Sequence, residues 1–253
     1  MLILLPPSET KRAGGTGAPL ALSALALASL APQRERVVDA LVALAADEEE
    51  AARVLKLGPR QRGEVAVNAA LRHAPTMAAI DRYTGVLYDA VDADTLDAAA
   101  RRWLGRHVLI HSAPFGPVGA LDPIPGYRLG AGISLPGLPA LRRLWAEAVT
   151  AAIAADPRRF VLDLRSEAYV ALGPVPTEVP SVSVRIVTEG PDGALRALNH
   201  FNKRTKGLLV RRLAQDRPRV ASAAAFQRWA DDTGLTLAQL PGARREASLL
   251  ALE

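Results

Sequence analysis

Leu2-Ile3-Leu4-Leu5-Pro6-Pro7-Ser8-Glu9-Thr10-Lys11 opens the chain, and its reading sets the fold. A short, unbroken aliphatic run is the mark of a strand buried on both faces. Pro6-Pro7 ends it, because proline has no amide to give to a ladder. The polar, glycine-bearing segment Ser8–Gly17 is then a loop leaving the end of a central strand, a usual place for ligand contacts. Two further runs share this character. Val108-Leu109-Ile110 leads to Ser112, and Phe160–Leu164 leads to Arg165-Ser166-Glu167. If the three strands are neighbours, their polar ends converge at one edge of a sheet.

Helical periodicity fills the space between them. It covers Arg34–Ala46, Gln61–Leu71, Met77–Arg82, Asp94–Leu104 and, most strongly, Pro139–Ala155. The acids Asp47–Glu50 suit a helix first turn, where the backbone dipole favours negative charge. Tyr83–Tyr88 reads as an aromatic-flanked turn, and Ser112–Leu138 as a long loop hiding short elements. Val182–Val187 and Ala194–Leu198 flank Glu189–Gly193 as a hairpin. Helices are expected near Lys203–Ala214 and Ala221–Asp232, with closing strands at Leu235–Leu240 and Ala247–Leu252. The pattern predicts a single α/β domain over residues 1–253. It has a mixed central sheet, flanking helices and a helical insertion over about 32–105.

Residues 200–212, His200-Phe201-Asn202-Lys203-Arg204-Thr205-Lys206-Gly207-Leu208-Leu209-Val210-Arg211-Arg212, hold five cations and no acid. A helix there packs one face and turns dense positive charge outward, a surface that suits phosphate. A merely solvated basic face is the plainer alternative. Net charge over the 253 residues is +5. That is a modest excess, and it favours an acidic partner only weakly.

Several chemistries drop out. The chain has no cysteine, so thiolate catalysis, disulfides and iron–sulfur ligation are excluded. His107 and His111 read as two residues on one strand face, about 13 Å apart and too far to share a metal. No metal or cofactor is expected. Fingerprints for dinucleotide, P-loop, nucleophile-elbow or zincin chemistry are absent, and Gly14-Gly15-Thr16-Gly17 lacks the lysine and helix start of a phosphate loop. The apolar N-terminus and the Ala18–Ala31 run are too short to span a bilayer, so no membrane partner and a cytoplasmic location are expected.

Candidate site residues follow from the strand ends and the basic segment. Ser8, Glu9, Tyr127, Ser166, Tyr169 and Asn202 are expected to line a pocket. Lys11, Arg128, Arg165, Lys203 and Lys206 would supply its positive charge. Gly58 and Arg60, in Leu57-Gly58-Pro59-Arg60 between two helical stretches, outline a helix-hairpin-helix whose turn could meet a nucleic-acid phosphate.

These segments, in this order, resemble the YaaA family of peroxide-stress proteins. The resemblance rests on Leu4–Lys11, Tyr83–Tyr88, Tyr127-Arg128-Leu129 with Gly132, Leu162–Ser166 with Tyr169, and Phe201–Gly207. It spans nearly the whole chain and implies the family's α/β fold, helix-hairpin-helix element and a positively charged cleft lined here by Lys11, Arg128, Arg165, Lys203, Arg204 and Lys206. It also implies DNA binding and protection from peroxide by limiting unincorporated iron. Two acids of the family pattern are missing: Arg128-Leu129-Gly130-Ala131-Gly132 has glycine where members often carry glutamate, and Ser166-Glu167-Ala168-Tyr169 displaces one by a residue. Losing acids while keeping cations favours anion binding over iron binding. Two partners follow, DNA or a phosphorylated small molecule processed by an enzyme. Charge reversal at Lys203 and Lys206 is the expected test of the first.

Overall fold

In the computed structural model, which describes residues 1–158, 160–189, 195–197, 202–239 and 246–250, the chain enters directly into the centre of its sheet. Strand β1 (Leu2–Leu5) lies between β3 (Val108–Ser112) and β6 (Val161–Asp163), parallel to both. Every residue of these three strands is buried, so both sheet faces are covered, as an unbroken aliphatic run requires. The parallel series continues through β7 (Ser181–Glu189) and β10 (Glu246–Leu250). Antiparallel β4 (Gly116–Gly119) and β9 (Leu237–Gln239) close the two ends. Antiparallel β8 (Leu195–Ala197) pairs with β7 and makes the sheet eight-stranded. Of the two expected closing strands, β10 is therefore interior and β9 terminal.

The connection from β1 to β3 carries the helices α1 (Ala31–Leu44), α2 (Glu48–Val54), α3 (Glu64–Ala69), α4 (Ala79–Arg82), α5 (Val86–Val91) and α6 (Ala98–His107). Asp47 caps α2 by accepting from the Glu50 amide at 3.0 Å, as the acidic cluster suggested. Met77–Ala78 is strand β2 rather than helix, paired with β5 (Pro123–Ile124) inside the long loop. The expected turn at Tyr83–Tyr88 instead starts α5. α6 starts later than the expected Asp94, with Asp97 capping it through the Ala100 amide at 2.7 Å. Further on come α7 (Leu141–Ala154), α8 (Glu167–Val170), α9 (Asn202–Asp216) and α10 (Ala223–Asp232). Residues 190–194 of the hairpin turn lie outside the described residues, as do His200 and Phe201 of the basic segment and the end of the expected last strand.

α9 packs on α5, α6 and β7. The contact with α5 is close at Gly207. A Cβ there would collide with the Leu87 carbonyl oxygen and come within 2.7 Å of Ala90 Cβ.

Several arginines are internal fasteners. Arg34 is fully buried and donates to the carbonyls of Ala26 (2.6 Å), Phe115 (2.8 Å) and Pro117 (3.0 Å). Arg82 donates to Arg12, Pro75 and Ile124 carbonyls. Each satisfies loop carbonyls that would otherwise be buried unpaired, at the cost of desolvating its own charge.

The histidine reading is corrected. His107 ends α6, stacks on Trp103 with ring centroids 4.3 Å apart, and its Nδ1 pairs with the Met1 carbonyl at 2.8 Å. His111 alone of the pair lies on a strand. It is fully buried in β3, with Nδ1 2.9 Å from an Arg165 nitrogen. Arginine can only donate, so His111 Nδ1 accepts and the ring proton sits on Nε2. Burial and the Arg165 charge hold His111 well below the usual histidine range, hence neutral.

Candidate functional site

In the parallel series, the chain leaves β1 toward β3 on one side and leaves β6 toward β7 on the other. The gap beyond the carboxyl ends of β1 and β6 is therefore a topological switch point, where open α/β sheets place ligands. A cleft of ≈ 790 Å³ lies there, lined by Ser8–Lys11 after β1 and by Ser166 and Tyr169 after β6. Arg128, Lys203 and the α5 start at Gly85 complete much of its wall. The expected convergence of the first and third polar clusters is thus observed. Ser112 is not part of it: it is buried and its Oγ accepts from the Phe115 amide at 2.9 Å.

Lys11 forms the inner wall. Its Nζ donates to the Ser8 and Glu9 carbonyls at 3.1 and 3.2 Å and sits 4.1 Å from the Tyr127 ring centroid. Burial, with a smaller push from Arg128, lowers its pKa to about 8. Tyr127 itself is buried, its hydroxyl 2.7 Å from that of Tyr83. Burial raises both phenols well above their usual range, so they stay neutral. Tyr169 is likewise raised to about 12, mainly by burial. The loop is braced by Ser8 Oγ and Thr10 Oγ1, 3.2 Å apart. Gly85 faces them with φ +91, and a Cβ there would lie 3.2 Å from Thr10 Oγ1 and 3.3 Å from Ser8 Oγ.

Arg128 is held by its backbone. Buried Asn68 accepts from the Arg128 amide at 2.8 Å and donates to its carbonyl at 2.9 Å. The guanidinium points toward Glu9, 3.3 Å away and largely exposed. Lys56, absent from the sequence-based candidates, also lines the cleft. It ends the turn after α2 in a left-handed conformation, φ 56. The break at Lys56-Leu57-Gly58 was legible, but not that it folds against a loop from the chain start.

Three expected cleft cations lie outside its lining, and two of them are buried in the fold. The Arg165 side chain has 0% exposure and is committed to Asp163 at 2.7 and 2.9 Å, to His111 and to the Gly173 carbonyl at 2.9 Å. Lys206 is 9% exposed and donates to the Leu164 carbonyl at 3.0 Å. Burial lowers it to about 8, opposed by nearby Asp163. Both fasten the end of β6 rather than facing solvent, because α9 lays this side of its helix on the sheet.

Lys203 does reach the cleft, whereas exposed Arg204 and half-buried Asn202 lie outside its lining. Arg211 donates to the Val91 and Asp92 carbonyls, both at 2.9 Å, and Arg212 pairs with Asp216 at 2.9 Å. Most of the basic run is therefore occupied by the protein's own acceptors. At the hairpin, the Gly58 amide donates to its own neighbour Gln61 Oε1 at 3.2 Å, while Arg60 is exposed. Neither lines the cleft, but Leu55 and Lys56 on the same turn do.

Among the described residues, the charges around the cleft are Lys11, Lys56, Arg128 and Lys203 against a single acid, Glu9. Such a wall carries the charge that suits an anion.

The model of the peroxide stress protein YaaA family matches residues 1–239. The chain belongs to the YaaA family. Its relatives include UPF0246 protein CE1889 of Corynebacterium efficiens, 46% identical over 228 residues, covering 88% of this chain and 89% of that protein. UPF0246 protein Cgl1995/cg2186 of Corynebacterium glutamicum is 40% identical over 254 residues, 99% of this chain and 100% of its own length. UPF0246 protein SCO2297 of Streptomyces coelicolor is 45% identical over 216 residues, 84% and 82% of the two chains. The family name attaches this chain to the peroxide stress response. Among the described residues, no helix is long and apolar enough to cross a membrane.

Proposed function

We propose that this YaaA-family chain serves the peroxide response by holding nucleic-acid phosphates in the cleft between the ends of β1 and β6. There it shields DNA and so limits iron-driven oxidative damage. The observation that carries this is the charge of the wall, four cations and one acid at a switch point. Phosphate contacts release condensed counterions, so binding must weaken steeply with salt, with a slope of about −0.9 per contact. Lys56 and Lys203 offer contacts directly, and Lys11 and Arg128 add up to two more by exchanging the Ser8 and Glu9 carbonyls and the Glu9 carboxylate for phosphate. Measuring the dissociation constant of a short duplex from 50 to 300 mM salt checks this, and a flat dependence would refute it.

A second reading is an enzyme for a phosphorylated small molecule. It is favoured by Lys11, whose proton is lost near 8, standing beside Ser8, Thr10 and Glu9. Such an amine is matched to acid–base work close to neutral pH. Thermal-shift screening with nucleotides tests it: a true ligand at about 100 times its dissociation constant adds about 2.7 kcal/mol.

A further inference from the structure

A second cavity, of ≈ 440 Å³, adjoins the cleft. Glu9 and Lys11 belong to both, so the Lys11 side chain is the partition between them. The two spaces differ in chemistry. Beyond the partition the wall is small and apolar, built from Ala66, Val67 and Ala70 around α3, Ala74 and Pro75, with Tyr127 at the inner end. The cations that border it are already engaged. Arg82 is spent on backbone carbonyls, and Arg12 pairs with Asp94 at 2.9 Å. The carboxylates are Glu9 at the shared edge and Glu64, which acts on Lys11 through its charge and, among the described residues, forms no salt bridge. Val67, at 37% exposure, is one of few large apolar side chains left in solvent.

A cationic cleft joined to a largely apolar pocket bearing carboxylates matches the two halves of a nucleotide. The phosphate is an anion; the base is flat, mostly apolar on its faces, and carries amino donors on its edge for adenine, cytosine and guanine. Pockets of this size accept such groups. We infer that the pocket behind Lys11 is a nucleobase subsite, taking an unstacked base whose backbone phosphate lies in the cleft, with Glu64 favouring bases that bear an amino group. This rests on the reading of the cleft as a phosphate site.

The test compares single-stranded oligonucleotides of equal length and phosphate count: oligo-dA, oligo-dT, and a chain of abasic tetrahydrofuran units. Wild type is expected to bind oligo-dA about tenfold tighter than the abasic chain, a difference of about 1.4 kcal/mol. Ala66→Phe fills the pocket from an exposed helix position, so the fold should tolerate it; Ala70→Leu is the second filling variant. Either should bring oligo-dA down to the abasic level while leaving the abasic affinity unchanged. Glu64→Leu, which removes the acceptor for the amino group, should erase a preference for oligo-dA over oligo-dT. Equal binding of all three chains by wild type overturns the subsite and leaves the phosphate reading standing. Loss of abasic-chain binding in the filling variants also overturns it, since the base pocket would then not be separate from the phosphate site. Absence of any binding overturns both.

Discussion

At the residue scale, Asn68 shows how a neutral side chain can govern a charged one. It clamps both backbone polar groups of Arg128, so the guanidinium is presented from a fixed point. Asn68→Ala removes no charge from the cleft. It leaves a buried amide and carbonyl without partners, at a cost of about 1–3 kcal/mol each. The expected result is a clear loss of stability by urea denaturation and weaker anion binding, with the salt slope unchanged because the number of cations is the same. Nothing in the sequence marked Asn68, since its partner lies sixty residues on and no local pattern links them. Arg165 teaches the opposite lesson. As a cation at a strand end it reads as a ligand contact, yet its side chain is wholly buried against Asp163. Asp163→Asn should cost about 3–5 kcal/mol, the penalty for stranding a buried charge, without a matching change in anion affinity per folded molecule.

At the element scale, the strands were legible because a strand buried on both faces leaves a simple trace, an apolar run ended by turn residues. β1, β3 and β6 were readable this way, and so was the meeting of two of their polar ends. The α5–α9 contact was not. Tyr83–Tyr88 looks like a turn because Gly85 interrupts it, and only the packing of Val86–Val91 on α9 reveals a helix. That contact sets which side of α9 faces in, and hence why Lys206 is buried while Lys203 reaches the cleft. Gly207 permits the approach, since any Cβ would meet Leu87 and Ala90. Gly207→Ala is expected to destabilise by about 1–3 kcal/mol through overpacking. Because α9 carries Lys203, it should also weaken anion binding. An unchanged denaturation midpoint would show that the two helices are not pressed together as described.

For the whole molecule, the counted charge is a poor guide to the charge on display. Arg34, Arg82, Arg165 and Lys206 contribute to the net +5 yet lie buried, fastening carbonyls or an aspartate. The anion-binding surface is therefore a few residues at one sheet edge, not the whole basic half of the chain. The buried lysines leave a pH signature. Lys11 and Lys206 titrate near 8 in the fold and at 10.5 in the unfolded chain. Between those values the unfolded chain binds more protons, so stability rises with pH, by up to about 3 kcal/mol per lysine. The buried tyrosines act the other way. Tyr83, Tyr88 and Tyr127 are held protonated well above 10.0, where the unfolded chain begins to lose those protons, so stability falls again at higher pH. Urea midpoints across pH 7–11 should peak at about pH 10; a steady decline from pH 8 upward would contradict the placement of both lysines.

The central claim is that the cleft at the ends of β1 and β6 is a phosphate-binding surface. Fluorescence anisotropy with a labelled duplex, comparing wild type with Arg128→Glu/Lys203→Glu, tests it most directly. Both side chains line the cleft, and neither is among the buried cations that fasten the sheet. The account predicts salt-dependent binding by wild type and at least a tenfold loss in the variant, about 1.4 kcal/mol, with the thermal midpoint unchanged. Equal binding by the two proteins, or no binding by wild type at low salt, would contradict it.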